Sequence, residues 1–171
     1  MTNMIFRLAT FLLTFVPLAA GCSSPPDRYQ AAVVHVRNAL PCFGVHDSEE
    51  VRRVPAHIAG VRVTESLSGT AALIWEVSYV EPDGSGPDLS PGDCIVYGDD
   101  GSPAQKLKEG SRYRVAILGD MEKAGAQSEV RWYTAYFCMV ERNGVLEPHQ
   151  VGWDKQRNEW AWSECGRAAG P

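Results

Sequence analysis

The chain lacks the short signatures that mark most enzymes. It has no G-x-S-x-G elbow, and Gly84-Ser85-Gly86 lies in a turn-like stretch rather than between a strand and a helix. No glycine-rich loop leads into a helix, so nothing is set to cradle a phosphate. Asp99-Asp100 stand side by side before Gly101 and read as a solvated turn. They do not read as the convergent carboxylates that acid–base catalysis needs. Histidine is scarce, with four in 171 residues, and His35, His46, His57 and His149 never fall at an H-x-x-x-H spacing. His46-Asp47, His57 and Glu49-Glu50 are close in sequence, but such groups are common on surfaces. No metal and no other cofactor is expected. Cysteines are poor zinc candidates in an exported chain, where disulfides form instead.

Clustered positive charge is missing too. Lys and Arg total 16 against 21 Asp and Glu, a formal charge of −5. This balance argues against nucleic acid, whose phosphates demand clustered cations. It would suit a basic partner, although the same balance is ordinary for soluble proteins. No long amphipathic helical pattern and no internal repeat is found.

The N-terminus has what the rest lacks. Met1 to Arg7 is a short segment with one positive charge, and Leu8 to Ala20 is an uncharged, mostly apolar run. Spanning a bilayer takes about 20 apolar residues, so this run suits the core of a secretory signal better than a transmembrane helix. It ends in Leu18-Ala19-Ala20-Gly21-Cys22, which resembles a lipobox with its Leu one place early. Cys22 is therefore the expected lipidation site and the mature N-terminus. Residues 1–21 form the expected signal peptide. Ser23 follows where inner-membrane lipoproteins often carry Asp, which points to the inner leaflet of the outer membrane. Residues 22–27, Cys-Ser-Ser-Pro-Pro-Asp, read as an extended tether.

Cysteine parity agrees. Of five Cys, spending Cys22 on the lipid leaves Cys42, Cys94, Cys138 and Cys165, which suffice for two disulfides in an oxidising periplasm. Four Cys allow three pairings. The preferred one, Cys42–Cys94 with Cys138–Cys165, would pin the Trp-rich C-terminal segment to the longest strand.

Residues 28–171 read as one domain with a hydrophobic period of two. Val34 and Val36 alternate with His35 and Arg37. Val61 and Val63 flank Arg62. Leu73, Trp75, Val77 and Tyr79 alternate with Ile74, Glu76 and Ser78. Cys94 to Tyr97 is short. Tyr113, Val115 and Ile117 alternate with Arg112, Arg114 and Ala116. Val130 to Val140 is the longest run, and Val145 to Trp153 returns beside it across Asn143-Gly144, a type I′ hairpin dipeptide. Pro148 makes that last run an edge or bulged strand. Asp47 to Ala59 reads as a loop or a single helical turn. About seven short strands predict an all-β, disulfide-braced sandwich, like those of immunoglobulin and fibronectin type III domains. Leu107 to Tyr113 (Leu-Lys-Glu-Gly-Ser-Arg-Tyr) resembles their tyrosine corner, in which the hydroxyl reaches back to the backbone. No Cys lies two residues after Tyr113, so this is not a true immunoglobulin domain.

Five Trp and six Tyr are many for this length. Core and strand-pair packing is one reading of them. The other gives Tyr133, Trp153, Trp160 and Trp162 to a partner-binding face, since interface hot spots favour Trp, Tyr and Arg.

The order of several short motifs carries a resemblance. Asn38-Ala39-Leu40-Pro41-Cys42-Phe43 comes first, then Leu89 to Gly98 (Leu-Ser-Pro-Gly-Asp-Cys-Ile-Val-Tyr-Gly) and Leu107 to Tyr113. Tyr133-Thr134-Ala135-Tyr136-Phe137-Cys138, His149-Gln150-Val151-Gly152-Trp153-Asp154 and Cys165 complete it. Over nearly the whole mature chain this resembles the type VI secretion immunity periplasmic lipoproteins, small proteobacterial lipoproteins. The resemblance implies a non-enzymatic protein that binds and neutralises a secreted toxin, with a protein partner and a membrane held through the lipid. The rival expectation is an envelope structural or assembly lipoprotein with an immunoglobulin-like protein-binding module. A third, an enzyme or small-ligand binder, would need a deep pocket where His46, His57 or Asp154 converge.

Overall fold

A computed structural model describes residues 28–67, 70–79, 86–121 and 129–166. The expected signal peptide, Cys22, the tether and Gly84-Ser85 lie outside these residues. Seven strands have six residues or more: β1 (Tyr29–Arg37), β2 (Leu40–Val45), β3 (Ala56–Leu67), β4 (Thr70–Ser78), β7 (Arg112–Met121), β8 (Glu129–Arg142) and β9 (Val145–Val151). Two-residue strands β5 (Asp88–Leu89), β6 (Ile95–Val96), β10 (Trp153–Asp154) and β11 (Glu159–Trp160) lie between or after them. One short helix, α1 (Glu49–Arg53), and a 3-10 turn (Trp162–Cys165) complete the described elements. In α1 the Ser48 hydroxyl accepts the Val51 N–H, the usual N-cap bond.

The expected disulfide-braced, all-β sandwich-like fold is present. Its two layers are one curled sheet in the order β4-β3-β7-β8-β1-β2-β6. The curl begins at β8. One edge of β8 pairs with β7, and its other edge is shared. Tyr29–Ala31 of β1 run parallel beside Trp132–Thr134, while β9 runs antiparallel beside Tyr136–Arg142. Beyond Ala31, β1 leaves β8 and pairs with β2, which carries β2 and β6 over the inner face of the other strands. Backbone groups of β1 in this fork would lack ladder partners, and buried ones must be paired. Gln150 of β9 supplies them. Its Oε1 accepts the Val34 N–H at 2.8 Å and its Nε2 donates to the Ala32 carbonyl at 3.2 Å.

The core sits between the layers. Phe43 of β2 lies 5.5 Å from Phe137 of β8 and 6.2 Å from Trp75 of β4, ring centre to ring centre. Tyr97 stands 5.1 Å from Trp75. Phe43 and Phe137 are fully buried and Trp75 very nearly so. At about 1.5–3 kcal/mol for each large apolar side chain buried, this cluster is a main source of stability.

Both hairpin turns next to β1 and β8 need left-handed backbone. Asn143 (φ 54°) and Gly144 (φ 78°) make the expected tight turn. Asn38 (φ 52°) and Ala39 (φ 60°) make a second one, joining β1 to β2. Sequence reading does not flag that turn, because Ala replaces the usual Gly. One strand phase also needs correction. Thr64 pairs with Leu73 but Val63 pairs with Trp75, so Ile74 is an extra residue in β4. The bulge reverses the alternation. Ile74 and Trp75 are both buried, and Leu73 points out, 48% exposed, instead of sharing the Trp75 face.

The disulfides pair Cys42 with Cys94 and Cys138 with Cys165. The first ties β2 to the chain entering β6, and the second ties β8 to the 3-10 turn. Tyr113 behaves as a tyrosine corner, its hydroxyl accepting the Lys108 N–H at 2.8 Å. Pro148 lies in β9, which pairs only with β8 among the described strands.

Candidate binding face

Period two on β8 separates its aromatic residues. Tyr133, Ala135 and Phe137 face the core and are buried; Trp132, Thr134 and Tyr136 face outwards. Tyr133 is 1% exposed and therefore takes no part in a surface face, a correction to its grouping with the C-terminal tryptophans. Its hydroxyl has no hydrogen-bond partner among the described residues. Burial, with a further contribution from the Glu50 charge, pushes its pKa up to about 12.

The other three residues do come together, on the outer face. There the C-terminal segment folds back over the Tyr136 end of the sheet. Trp160 lies on Tyr136 at 4.3 Å and Trp162 meets it edge-on at 6.0 Å. The Arg112 guanidinium sits 5.1 Å above the Trp162 ring, within cation–π range. Trp153 stands edge-on to Trp160 at 5.3 Å, paired with it across the β10–β11 hairpin. Cys138–Cys165 fastens the segment at the sheet. His149 adds a second fastening. Its Nδ1 lies 3.3 Å from Arg142 Nη2 and its Nε2 lies 3.0 Å from Glu164 Oε2. Trp160 and Trp162 are half-buried by these contacts, whereas Trp153 remains 46% exposed.

Beside this strap the outer face is open. Arg62 and Thr64 of β3, Arg114 and Ala116 of β7 and Trp132 of β8 surround a shallow depression of about 260 Å³. Its floor is low because Gly60 and Ala116 carry little or no side chain. A Cβ on Gly60 would sit 2.9 Å from the Val77 carbonyl oxygen. Arg62 is spoken for, with Nη2 2.6 Å and Nε 3.0 Å from Glu76 Oε1. Arg114 makes no ion pair among the described residues. Trp132 is 39% exposed. Sequence reading misses this half of the face, although the alternation of Arg112 and Arg114 with Tyr113 and Val115 carries the signal.

Another group hidden from sequence reading is the buried Arg131. It is wholly buried at the opposite end of the inner layer, bonded to Glu50 Oε1 at 3.0 Å and to Glu129 Oε2 at 3.1 Å. It anchors α1 to β8. Of the polar groups a ligand pocket would use, His57 and Asp154 are engaged by their own neighbours. His57 Nδ1 lies 2.9 Å from Asp88 Oδ1, and Asp154 caps its own turn by accepting from Gln156 and Arg157 N–H. Among the described residues, no three His, Cys, Asp or Glu side chains gather as a metal-binding set, and no helix is long and apolar enough to cross a membrane.

Fold and face together define an all-β scaffold, braced by two disulfides, that presents a ring-stacked aromatic strap beside an open arginine-bearing sheet face. No family model, curated protein or solved structure matches the chain.

Proposed function

We propose that this chain is a non-enzymatic periplasmic lipoprotein of the immunity class, which binds and neutralises an effector delivered by type VI secretion. In this reading the acyl chains on Cys22 hold it at the inner leaflet of the outer membrane, where an injected toxin arrives. The observation that carries it is Trp153: half exposed, yet held in place by Trp160 and, through the strap, by Cys138–Cys165. Neutralising a toxin by occlusion requires no chemistry, only a surface that is already ordered. Little side-chain entropy is then lost on binding, and that loss is among the main costs of association. A rigid half-exposed Trp is the type of residue that dominates interface energies.

The test is a pull-down from periplasmic extract with the oxidised protein, followed by mass spectrometry. A toxin encoded beside this gene should be recovered, and Trp153→Ala should weaken its capture at least about 30-fold, the equivalent of a 2 kcal/mol hot spot. Recovery of resident envelope proteins alone would replace immunity with a structural or assembly role.

A further inference from the structure

From the geometry of the outer sheet face we infer that its open half, between Arg62 and Arg114 and beside Trp132, is a docking groove for an extended acidic–aromatic segment of a protein partner. The protein itself supplies the template. Its C-terminal strap, Glu159-Trp160-Ala161-Trp162-Ser163-Glu164, already lies on the same face, over the Tyr136 end of β8. There a ring stacks on the outward Tyr136 of β8, and another ring lies under the outward Arg112 of β7. Further along the face an arginine and a ring recur away from the strap, Arg114 across from Tyr136 on β7 and Trp132 four residues from Tyr136 on β8.

Charge and shape favour the same class of occupant. The chain carries a net formal charge of −5, yet this patch presents Arg62, Arg114 and, at its border, Arg112. Glu76 offsets only Arg62. Arg114, exposed and without an ion pair among the described residues, is free to take a carboxylate or a ring face. Arginine does both through its planar, weakly hydrated guanidinium. The depression over Ala116 and Gly60 gives an aromatic side chain room against the Trp132 wall. A basic segment would meet like charge here, and a purely apolar one would leave the guanidinium desolvated and unpaired, which is costly.

This inference rests on the protein-binding reading above, but its test does not need the toxin. The probe is a synthetic peptide of residues 158–164, Asn-Glu-Trp-Ala-Trp-Ser-Glu, added to the oxidised, ¹⁵N-labelled protein. Five tryptophans give five indole N–H signals, and Trp132→Phe identifies the one that matters. The Trp132 signal should shift in a saturable way. Arg114→Glu, at an exposed position, should weaken the peptide at least tenfold while leaving the other four indole signals in place. A peptide with both Glu changed to Lys should also bind at least tenfold more weakly. The inference is overturned if Trp132 does not respond at millimolar peptide, or responds equally in Arg114→Glu or to the lysine peptide. Capture of a toxin that depends on Trp153 but not on Arg114 would overturn it and leave the immunity reading standing.

Discussion

Tyr113 and Lys108 are joined by one short bond: the tyrosine hydroxyl accepts the lysine backbone N–H at 2.8 Å, five residues back along the chain. The ring itself is 1% exposed and stacks on Phe137 at 5.2 Å. The hydroxyl fixes how the Leu107–Ser111 loop enters β7, while the ring belongs to the core. The two contributions can be separated by mutation. Tyr113→Phe keeps the ring and orphans a part-buried N–H, so it should cost about 1–2 kcal/mol in urea denaturation, with an unchanged slope. Tyr113→Ala should cost more, about 3–5 kcal/mol, because it also opens a cavity. A Tyr113→Phe protein as stable as the parent would mean that the loop needs no tie.

The two disulfides should fail in different ways. Cys42–Cys94 closes 52 residues through the middle of the fold, and Cys138–Cys165 closes 27 around the C-terminal strap. Loop entropy assigns each about 2–4 kcal/mol, so either loss should lower Tm by roughly 10 °C. Only the second also has a local consequence. Without Cys138–Cys165, the strap is kept in place mainly by the Tyr136 ring stack, the Arg112–Trp162 contact and the His149–Glu164 pair. The paired change Cys138→Ala/Cys165→Ala should therefore red-shift tryptophan emission in the native state, before any global unfolding, as Trp160 and Trp162 meet water. Cys42→Ala/Cys94→Ala should not. Identical emission from both variants would show that the rings alone secure the strap.

Much of this fold is legible in the sequence because strands advertise themselves through alternation and turns through Gly, Asn and Pro. The β8–β9 hairpin is the clearest case: a long β-branched and aromatic run, Asn143-Gly144, then a Pro-bearing edge strand. What escapes reading depends on partners distant in sequence. The Ile74 bulge is set by pairing against Val63 and Thr64, so the exposure of Leu73 is invisible in β4 alone. Gln150 looks like any surface amide until β1 forks away from β8. Arg131 becomes a buried residue only because Glu50 and Glu129 meet it. At the candidate binding face, composition grouped Tyr133 with Trp153, Trp160 and Trp162. Strand parity divides them, since Tyr133 shares its face with Phe137, and Trp132 shares the outward face with Tyr136. Parity alone would have exchanged Tyr133 for Trp132.

Tyr133 yields the sharpest test of that burial. Its hydroxyl has no partner among the described residues, so removing it orphans nothing. Tyr133→Phe should leave stability at pH 7 unchanged or raise it by up to about 1 kcal/mol. At high pH the two proteins should diverge. An unfolded tyrosine ionises near pH 10, whereas burial pushes Tyr133, and likewise Tyr97, up to about 12 in the fold. Between those values the unfolded chain has lost protons that the folded chain retains, so stability must fall as pH rises from 10 to 12. Below pH 10 both states are protonated and these groups add no slope. Urea midpoints at pH 9, 10, 11 and 12 should therefore drop in the parent and drop less in Tyr133→Phe, with Tyr97 and Tyr79, both raised by burial, sustaining the remainder. A loss of 2 kcal/mol or more on Tyr133→Phe at pH 7 would show that the hydroxyl is satisfied after all, and the alkaline slope would then need another source.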